Sequence, residues 1–411
     1  MNKDESISMT TVNSPQSLPN ADALPRKRPR SFLAGVLLDM TGRWGARVGL
    51  AWIGLVAFFA IFGPLLASSH PILWKTADGV TSPMFKHLTA ADVIILLLAL
   101  VAGVLLCFKA MHMGKRVLIF TGIGIVITIA SLLFVKPPQA IVYSQYREAL
   151  TAKEAQWAVM TIVPYSPTDR FREMEETRFL APSGKHWMGT TGDGEDLCSR
   201  MIHACRIALA VGFLSTGIAI CIGVIIGGLM GYFSGWVDLL GMRLVEVFSS
   251  IPTIFLLITF VAFYGRNLYL MMIILGLTGW VGYAVFTRAE FLKLREQDFV
   301  QAAIACGLPL RSVLFKHMLP NGVTPVLVSA SFGVAGAILT ESTLSFLGLG
   351  LVEEPSWGQM LNQARGQGGV FTWWMAIYPG FAIFFTVFAY NLVGEALRDA
   401  IDPQLKKAAQ L

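Results

Sequence analysis

The sequence predicts an all-α integral membrane protein, and three observations carry that prediction. The chain of 411 residues is 55% hydrophobic and only 14% charged, whereas soluble globular chains carry about 25% charged residues. It contains about eight apolar runs close to the ~20 residues an α-helix needs to cross a bilayer. Its Lys and Arg residues concentrate on alternate connections between those runs, which is how basic residues sort to the cytoplasmic side. The net charge of +6 is modest, so nucleic acid is not an expected partner, and lipid is.

In chain order, residues 1–45 form a Ser/Thr/Asn/Pro-rich tail that carries the basic run Arg26 to Arg30. That composition predicts a disordered segment, and no apolar run follows soon enough to make a cleaved signal peptide. Residues 46–68 hold the first transmembrane helix, with its apolar run at Val48–Ala67. Residues 91–135 hold a transmembrane hairpin, Ala91–Phe108 and Val117–Val135, joined by the basic "KAMHMGKR". Residues 136–206 are the longest polar stretch and are rich in Tyr, Trp and Phe. They predict a small extracytoplasmic layer ending in an interfacial helix, where Leu197, Met201, Ile202 and Cys205 share one side. Residues 207–396 hold five more runs: Ile207–Phe233, Val245–Phe263, Leu268–Phe286, Val323–Phe346 and Trp373–Val393. Residues 397–411 are a second basic tail. An even number of spans puts both termini on one side. The tails, the hairpin loop and the connection near Arg288 to Lys316 all carry excess positive charge, so that side is the cytoplasm.

The motifs of common enzyme classes are missing. There is no G-x-x-x-x-G-K-[ST] phosphate loop, because "MGKR" at Met113 lacks the upstream glycine. "GIGIV" and "GLGLV" lack the third glycine of a dinucleotide fingerprint. No Gly-x-Ser-x-Gly elbow and no metal-ligand spacing occur. The five cysteines read as small apolar fillers. Cys198 and Cys205 stand about 10 Å apart along a helix, beyond disulfide reach. No enzymatic activity is expected.

Three features stand out instead. Gly223, Gly227 and Gly231 recur every fourth residue, with Ala219 ahead of them, and bare one face of a helix for close approach. That face serves either plain helix packing within the chain, or packing against a partner chain or the lining of a pathway. Ser329, Gly333 and Ala337 repeat the pattern. Glu341 lies near the end of an apolar run beside Thr340 and Ser342. A carboxylate at that depth is costly unless hydrated or paired, so it is either a pathway residue or an interfacial cap. The third feature is "DFVQAAIACGLPLRSVLFKHMLPN", Asp298 to Asn321. Asp298 suits an N-cap, and Gly307 suits a left-handed residue after a helix end. Pro309 suits the first turn of a second helix, which Leu319-Pro320 ends. Phe299, Ala302, Ala303 and Cys306 share a face. The stretch is either an ordinary connection or a surface made to be covered.

This stretch resembles the EAA loop of ABC-importer permeases, in which Glu-Ala-Ala is followed by Gly and then Leu-Pro. Gln301, Ala302, Ala303, Gly307, Leu319 and Pro320 match that pattern, with Gln in place of Glu. His317 ahead of Leu319-Pro320-Asn321 is similar to the peptide-importer form. "HWMGTTGDGEDLCSRMIHACRIALAVG", "GYFSGWVDLLGMRLVEVFSSIPT", "ESTLSFLGLGLVEEPSWGQML" and "EALRDAIDPQL" resemble the C-type permease subunit of dipeptide and oligopeptide importers. The likeness covers about Trp187 to Leu405 and the first span. Thr191 and Glu195 depart from the family's Gly-Thr-Asp-x-x-Gly-Arg-Asp, and the hairpin Ala91–Val135 has no counterpart in the usual six-helix subunit.

The resemblance implies a type I ABC-importer permease fold of about six core transmembrane helices plus an inserted hairpin. Residues 207–396 would be the core permease domain and 288–321 its coupling loop. The chain would be a non-catalytic subunit in a bacterial inner membrane, importing peptides or similar small solutes. Its partners would be a homologous permease, two ABC ATPases and an extracytoplasmic solute-binding protein. It would bind no cofactor, with ATP and Mg used by the ATPases. An ion-coupled secondary transporter would require internal repeats, broken midplane helices and intramembrane charges, and Glu341 is the one strong charge candidate. A membrane scaffold would leave the EAA-like turn unexplained.

Overall fold

The computed structural model describes residues 38–76, 79–108, 111, 113–138, 142–152, 156–170, 177–350, 354–365 and 371–401. The basic run Arg26–Arg30, most of both predicted tails, Lys109 of the hairpin loop and Lys406 and Lys407 lie outside the described residues. Among the described residues, seven helices are long and apolar enough to cross a membrane, or eight if one bent pair counts as a span.

Helix α1, Trp44–Leu66, opens the bundle. Arg43 before it pairs with Asp399, and Trp52 Nε1 donates to Thr386 Oγ1 at 3.0 Å. These contacts lay α1 along the last helix of the chain. The predicted hairpin is present as α2, Ala90–Cys107, and α3, Met113–Phe134. Thr89 caps α2 in a reciprocal box with Asp92: the Asp92 N–H donates to Thr89 Oγ1 at 3.2 Å, and the Thr89 N–H donates to Asp92 Oδ2 at 2.8 Å. The hairpin's lipid-facing surface is almost wholly apolar, with Leu100 of α2 63% and Leu118 of α3 75% exposed, as a membrane hairpin requires.

The polar stretches on either side of the hairpin form a small layer, here called the outer layer after the sequence expectation, which includes a segment the hydropathy pattern did not mark. Strands β1 (Leu73–Thr76) and β2 (Gly79–Thr81) precede the hairpin, and β3 (Trp157–Val159) follows it. The sheet order is β2-β1-β3, antiparallel throughout, with Leu73 opposite Val159. Beneath it Arg147 Nη1 meets Asp169 Oδ2 at 2.6 Å, and Ser69 Oγ donates to the same oxygen at 2.6 Å. His70, stacked on His87 at 3.8 Å, is pushed down to about 4 by burial and by the neighbouring ring.

Helix α4, Leu197–Phe233, is 37 residues long, about 55 Å at 1.5 Å per residue. The expected interfacial helix before Ile207 is not a separate element. Asp196 is the N-cap, accepting from the Ser199 N–H at 2.8 Å. No Gly or Pro interrupts the early turns, so the amphipathic stretch continues straight into the span. The helix ends where Ser234 and Gly235 both take positive φ, 57° and 54°.

The predicted span Val245–Phe263 is broken. Helix α5, Gly235–Ser250, and α6, Thr253–Tyr264, meet at an angle of 70°. Pro252 supplies no N–H, and its ring forces Ile251 out of helical geometry (φ −88°, ψ 115°). Helix α7, Leu268–Arg295, begins at the cap Asn267, which accepts from the Leu270 N–H at 3.1 Å, and ends with Lys293 and Arg295 in its last turn, where cations favour the helix dipole. The short helix α8, Asp298–Ala305, follows. Helix α9, Thr324–Phe346, outer helix α10, Trp357–Gln363, and α11, Trp373–Ile401, complete the chain. The largest core joins α1, α4, α9, α10 and α11 through Val56, Ala208, Ile338, Met360 and Met375. A second core joins α4, α5, α7 and α9 through Ala219, Val245, Trp280, Ala284 and Val326.

Candidate functional site

The connection between α7 and α9 is a closed two-helix turn. Asp298 is the first residue of α8 and not its cap; Gln297 takes the cap's extended backbone (φ −78°, ψ 143°). The acid therefore acts on the helix dipole in the first turn. At the other end Gly307 has φ +71°. Its N–H donates to the Ile304 carbonyl at 2.9 Å, and the Leu308 N–H donates to the Ala303 carbonyl at 3.2 Å. That pair of bonds is a Schellman closure, which requires the left-handed residue glycine supplies most cheaply.

Pro309 is the N-cap of the next helical segment, one position earlier than its sequence suggests. Leu319-Pro320 does not stop that segment. Residues Val313–Met318 form a π-turn, and helix resumes over Leu319–Gly322. In an α-helix the ring of Pro320 would meet the carbonyl four residues back. The wider turn makes room for it, with the Leu319 N–H reaching the Leu314 carbonyl.

The predicted apolar face of α8 divides in two. Val300 and Ala303 are buried against Phe291, Val313 and Met318. Phe299, Ala302 and Cys306 face outward, beside Ile304, Leu308, Leu310 and Phe315, the last 59% exposed. Gln301 Nε2 donates to the Arg295 carbonyl at 2.8 Å. A glutamate carboxylate cannot make that donation, which gives the Gln for Glu replacement a local reason. Arg295 Nη1 in turn donates to the Tyr232 carbonyl at 3.1 Å, tying the turn to the end of α4.

The glycine row lies against α7 within the same chain. A Cβ on Gly223 would stand 2.5 Å from Tyr283 Cβ, and one on Gly231 would stand 2.6 Å from the Arg288 carbonyl oxygen. On Gly227 it would overlap the Ala284 carbonyl. Nearby, Arg288 Nη2 donates to Asp238 Oδ2 at 2.6 Å, holding α5 to α7. Gly333 of α9 meets the Tyr283 ring in the same close manner.

Glu341 is 3% exposed. Ser345 Oγ donates to its Oε1 at 2.6 Å, and Ser342 Oγ lies 3.4 Å from Oε2. The carboxylate sits where α9 meets α10: Gly358 has no room for a Cβ against Ser342, and Asn362 Nδ2 donates to the Phe346 carbonyl at 2.6 Å. Of the three residues grouped by sequence, Thr340 lines a different space. It shares a cavity of about 500 Å³ with Ser215, Thr216, Thr278 and Thr343, and Ser215 Oγ there has no partner among the described residues. Ser342 borders a mostly apolar cavity between α9 and α11. Glu341→Ala should insert but lose about 1–3 kcal/mol of stability, because two buried hydroxyls lose their acceptor. Glu341→Gln keeps an acceptor and should retain most of that stability. Thermal unfolding in detergent checks both, and an unchanged midpoint for Glu341→Ala would refute the pairing.

One polar cluster escaped the sequence reading. Glu195 and Arg200 form an ion pair in which each is 1% exposed. Arg170 Nε adds a bond to Glu195 Oε1 at 2.9 Å, and Arg200 Nη2 donates to Gln359 Oε1 of α10 at 3.0 Å. Beside it His186 Nδ1 meets Asp196 Oδ2 at 2.8 Å. The signal was present in the departure at Glu195: an acid stands where the resembled motif has Arg, and an Arg appears five residues on.

A protein-family model described as "Binding-protein-dependent transport system inner membrane component" matches residues 223–407. The oligopeptide transport system permease protein OppC of Haemophilus influenzae is 43% identical over 223 residues, which is 54% of this chain and 71% of that one. The dipeptide transport system permease protein DppC of Alkalihalophilus pseudofirmus is 36% identical over 230 residues, 56% of this chain and 75% of that one. Among solved structures, a chain of the MetNI methionine ABC transporter in inward-facing conformations gives a TM-score of 0.39 at 20% identity, over 49% of this chain and 97% of that one. That structural likeness is too slight to build on. The identities and their coverage suffice: the chain belongs to the inner-membrane permease components of binding-protein-dependent transport systems.

Proposed function

We propose that this chain is one of two permease subunits of an ATP-driven importer for peptides or similar small solutes. It would form half of the translocation pathway and couple it to ATPases through residues 298–321. The observation that carries the coupling is the α8 turn. A Schellman closure fixes its shape, a buried contact fixes it to α7, and its remaining apolar side chains point outward with none of the described residues over them. Such a face suits a partner. The peptide class rests on the names of the two relatives.

The partners in this reading are a homologous permease, two ABC ATPases at the α8 turn and a solute-binding protein at the outer layer. ATP and Mg belong to the ATPases, and the chain itself catalyses nothing and holds no cofactor. Both termini are cytoplasmic, by the sorting of Lys and Arg. Closure of the ATPases would push the turn, and the spans would rock between inward- and outward-facing arrangements. Thr340, with the hydroxyls around it, is the better pathway candidate; Glu341 and Ser342 would act through the α9–α10 junction.

Reconstitution tests this. Vesicles holding the assembled complex should take up a short peptide only when ATP and the binding protein are both supplied. Uptake driven by a proton or sodium gradient without ATP would refute the proposal.

A further inference from the structure

At the end of the bundle opposite the α8 turn, the inserted hairpin and the outer layer wall a cavity of about 520 Å³. Most of its lining, including Arg206, His203 and the hairpin residues, precedes residue 223, where the region matched by the family model begins. We propose that this cavity is an accessory binding site for a short peptide, held by its terminal carboxylate; the inference rests on the peptide reading above.

The argument is one of unmatched partners. Arg206 lines the cavity. Its Nε donates to the Ala60 carbonyl at 3.2 Å, its Nη1 pairs with Asp92 Oδ1 of the hairpin at 2.5 Å, and its buried Nη2 has no partner among the described residues. His203, one turn earlier on α4, lies on the same wall. Its ring is packed against Gly63, with Nδ1 3.4 Å from where a Cβ would stand, and it makes no hydrogen bond among the described residues. Arg206 Nη2 is thus a buried donor without an acceptor among the described residues, which is costly to leave unpaired, and the His203 ring on the same wall carries one N–H that could share an incoming acceptor. Glu354, exposed at the edge of the cavity, adds a carboxylate to its wall. The rest of the lining is largely apolar, with Phe59, Ile95 and Met272.

The complement of that arrangement is a small zwitterion with an apolar body. Its carboxylate meets Arg206 and His203, and its ammonium meets Glu354. Asp92 already offsets the charge of Arg206, so the site favours one negative charge over the two of a phosphate monoester. The hairpin supplies Asp92 and Ile95, which gives the insertion a role: it orients Arg206 and closes the site on the lipid side.

The test uses the assembled complex in nanodiscs without the binding protein, with radiolabelled tri-leucine as the probe in equilibrium dialysis. Tri-leucine should bind saturably, and its C-terminal amide should bind about tenfold or more weakly, because the lost contact is a hydrogen-bonded charge. His203→Phe and Glu354→Gln, which leave the Asp92–Arg206 pair in place, should each weaken binding to a similar degree. Equal binding of acid and amide would overturn the proposal. So would displacement by dioctanoyl phosphatidylglycerol that tri-leucine cannot reverse, since the site would then hold a lipid phosphate. If the wild-type complex imports tri-leucine with ATP yet shows no saturable binding here, this inference fails and the importer reading stands. If it imports no peptide under any condition, both fail.

Discussion

Gly227→Val should deplete the membrane of folded protein. The added Cβ would overlap the Ala284 carbonyl, a backbone group that no rotamer change can move. Gly223 and Gly231 lock the same face one turn to either side, so α4 and α7 can relieve the clash only by parting along their crossing. Overpacking a well-filled interior commonly costs about 1–3 kcal/mol, and here relief would also open the contacts of Trp280, Tyr283 and Phe291. A loss at or above the top of that range is expected. Gly217→Val is the matched control, because nothing lies within 4 Å of a Cβ there. Fluorescence-detected size-exclusion profiles across a temperature series should show Gly217→Val close to wild type and Gly227→Val aggregated or absent. Similar profiles for the two variants would mean that the glycine row does not set the α4–α7 contact.

The second large effect is on assembly and not on folding. Gly307→Val meets no steric obstacle, since no atom lies within 4 Å of its Cβ position. Its whole cost is the left-handed backbone at φ +71°, roughly 1–2 kcal/mol. A bundle of this size survives that, but the direction of the α8 turn need not. The variant should reach the membrane at near-normal levels, copurify with ATPases at a small fraction of the wild-type ratio, and lose uptake. Gly307→Asn should restore much of both, because Asn tolerates the left-handed region. Ala302→Asp should match the Val variant by another route, placing a charge on the outward face without touching the buried contacts of Ala303. If Gly307→Val and Ala302→Asp both retain their ATPases and transport normally, the turn is an ordinary connection.

The membrane helices were legible in sequence because a long apolar run needs no periodicity to be recognised. The turn at Gly307 was legible because positive φ leaves a residue-level mark. Other features were not. Averaged hydropathy treats Val245–Phe263 as one span, since Pro252 is itself weakly apolar, yet its missing N–H bends the chain by 70°. The outer sheet pairs Leu73 with Val159 across more than eighty residues of chain, and strands of three or four residues carry too little alternation to announce themselves. At the α8 turn the residue types gave the apolar face but not its division, because Ala302 and Ala303 differ only in which way the helix turns them. Glu341 was conspicuous as an acid in an apolar run. Its partners Ser342 and Ser345 were close in sequence, while the packing of α10 over them was not readable there.

Helix α4 runs unbroken from the Glu195–Arg200 pair to Tyr232, whose carbonyl holds Arg295 at the root of the α8 turn. A body about 55 Å long with one end under the outer layer and the other beside the turn has the shape of a lever. A tilt of only about 5° would sweep one tip by about 5 Å relative to the other, by the length of the helix alone. In the proposed importer, pressure on the outer layer and movement of the turn would be one stroke read at two ends, and the glycine-lined seam with α7 is where its fulcrum would lie.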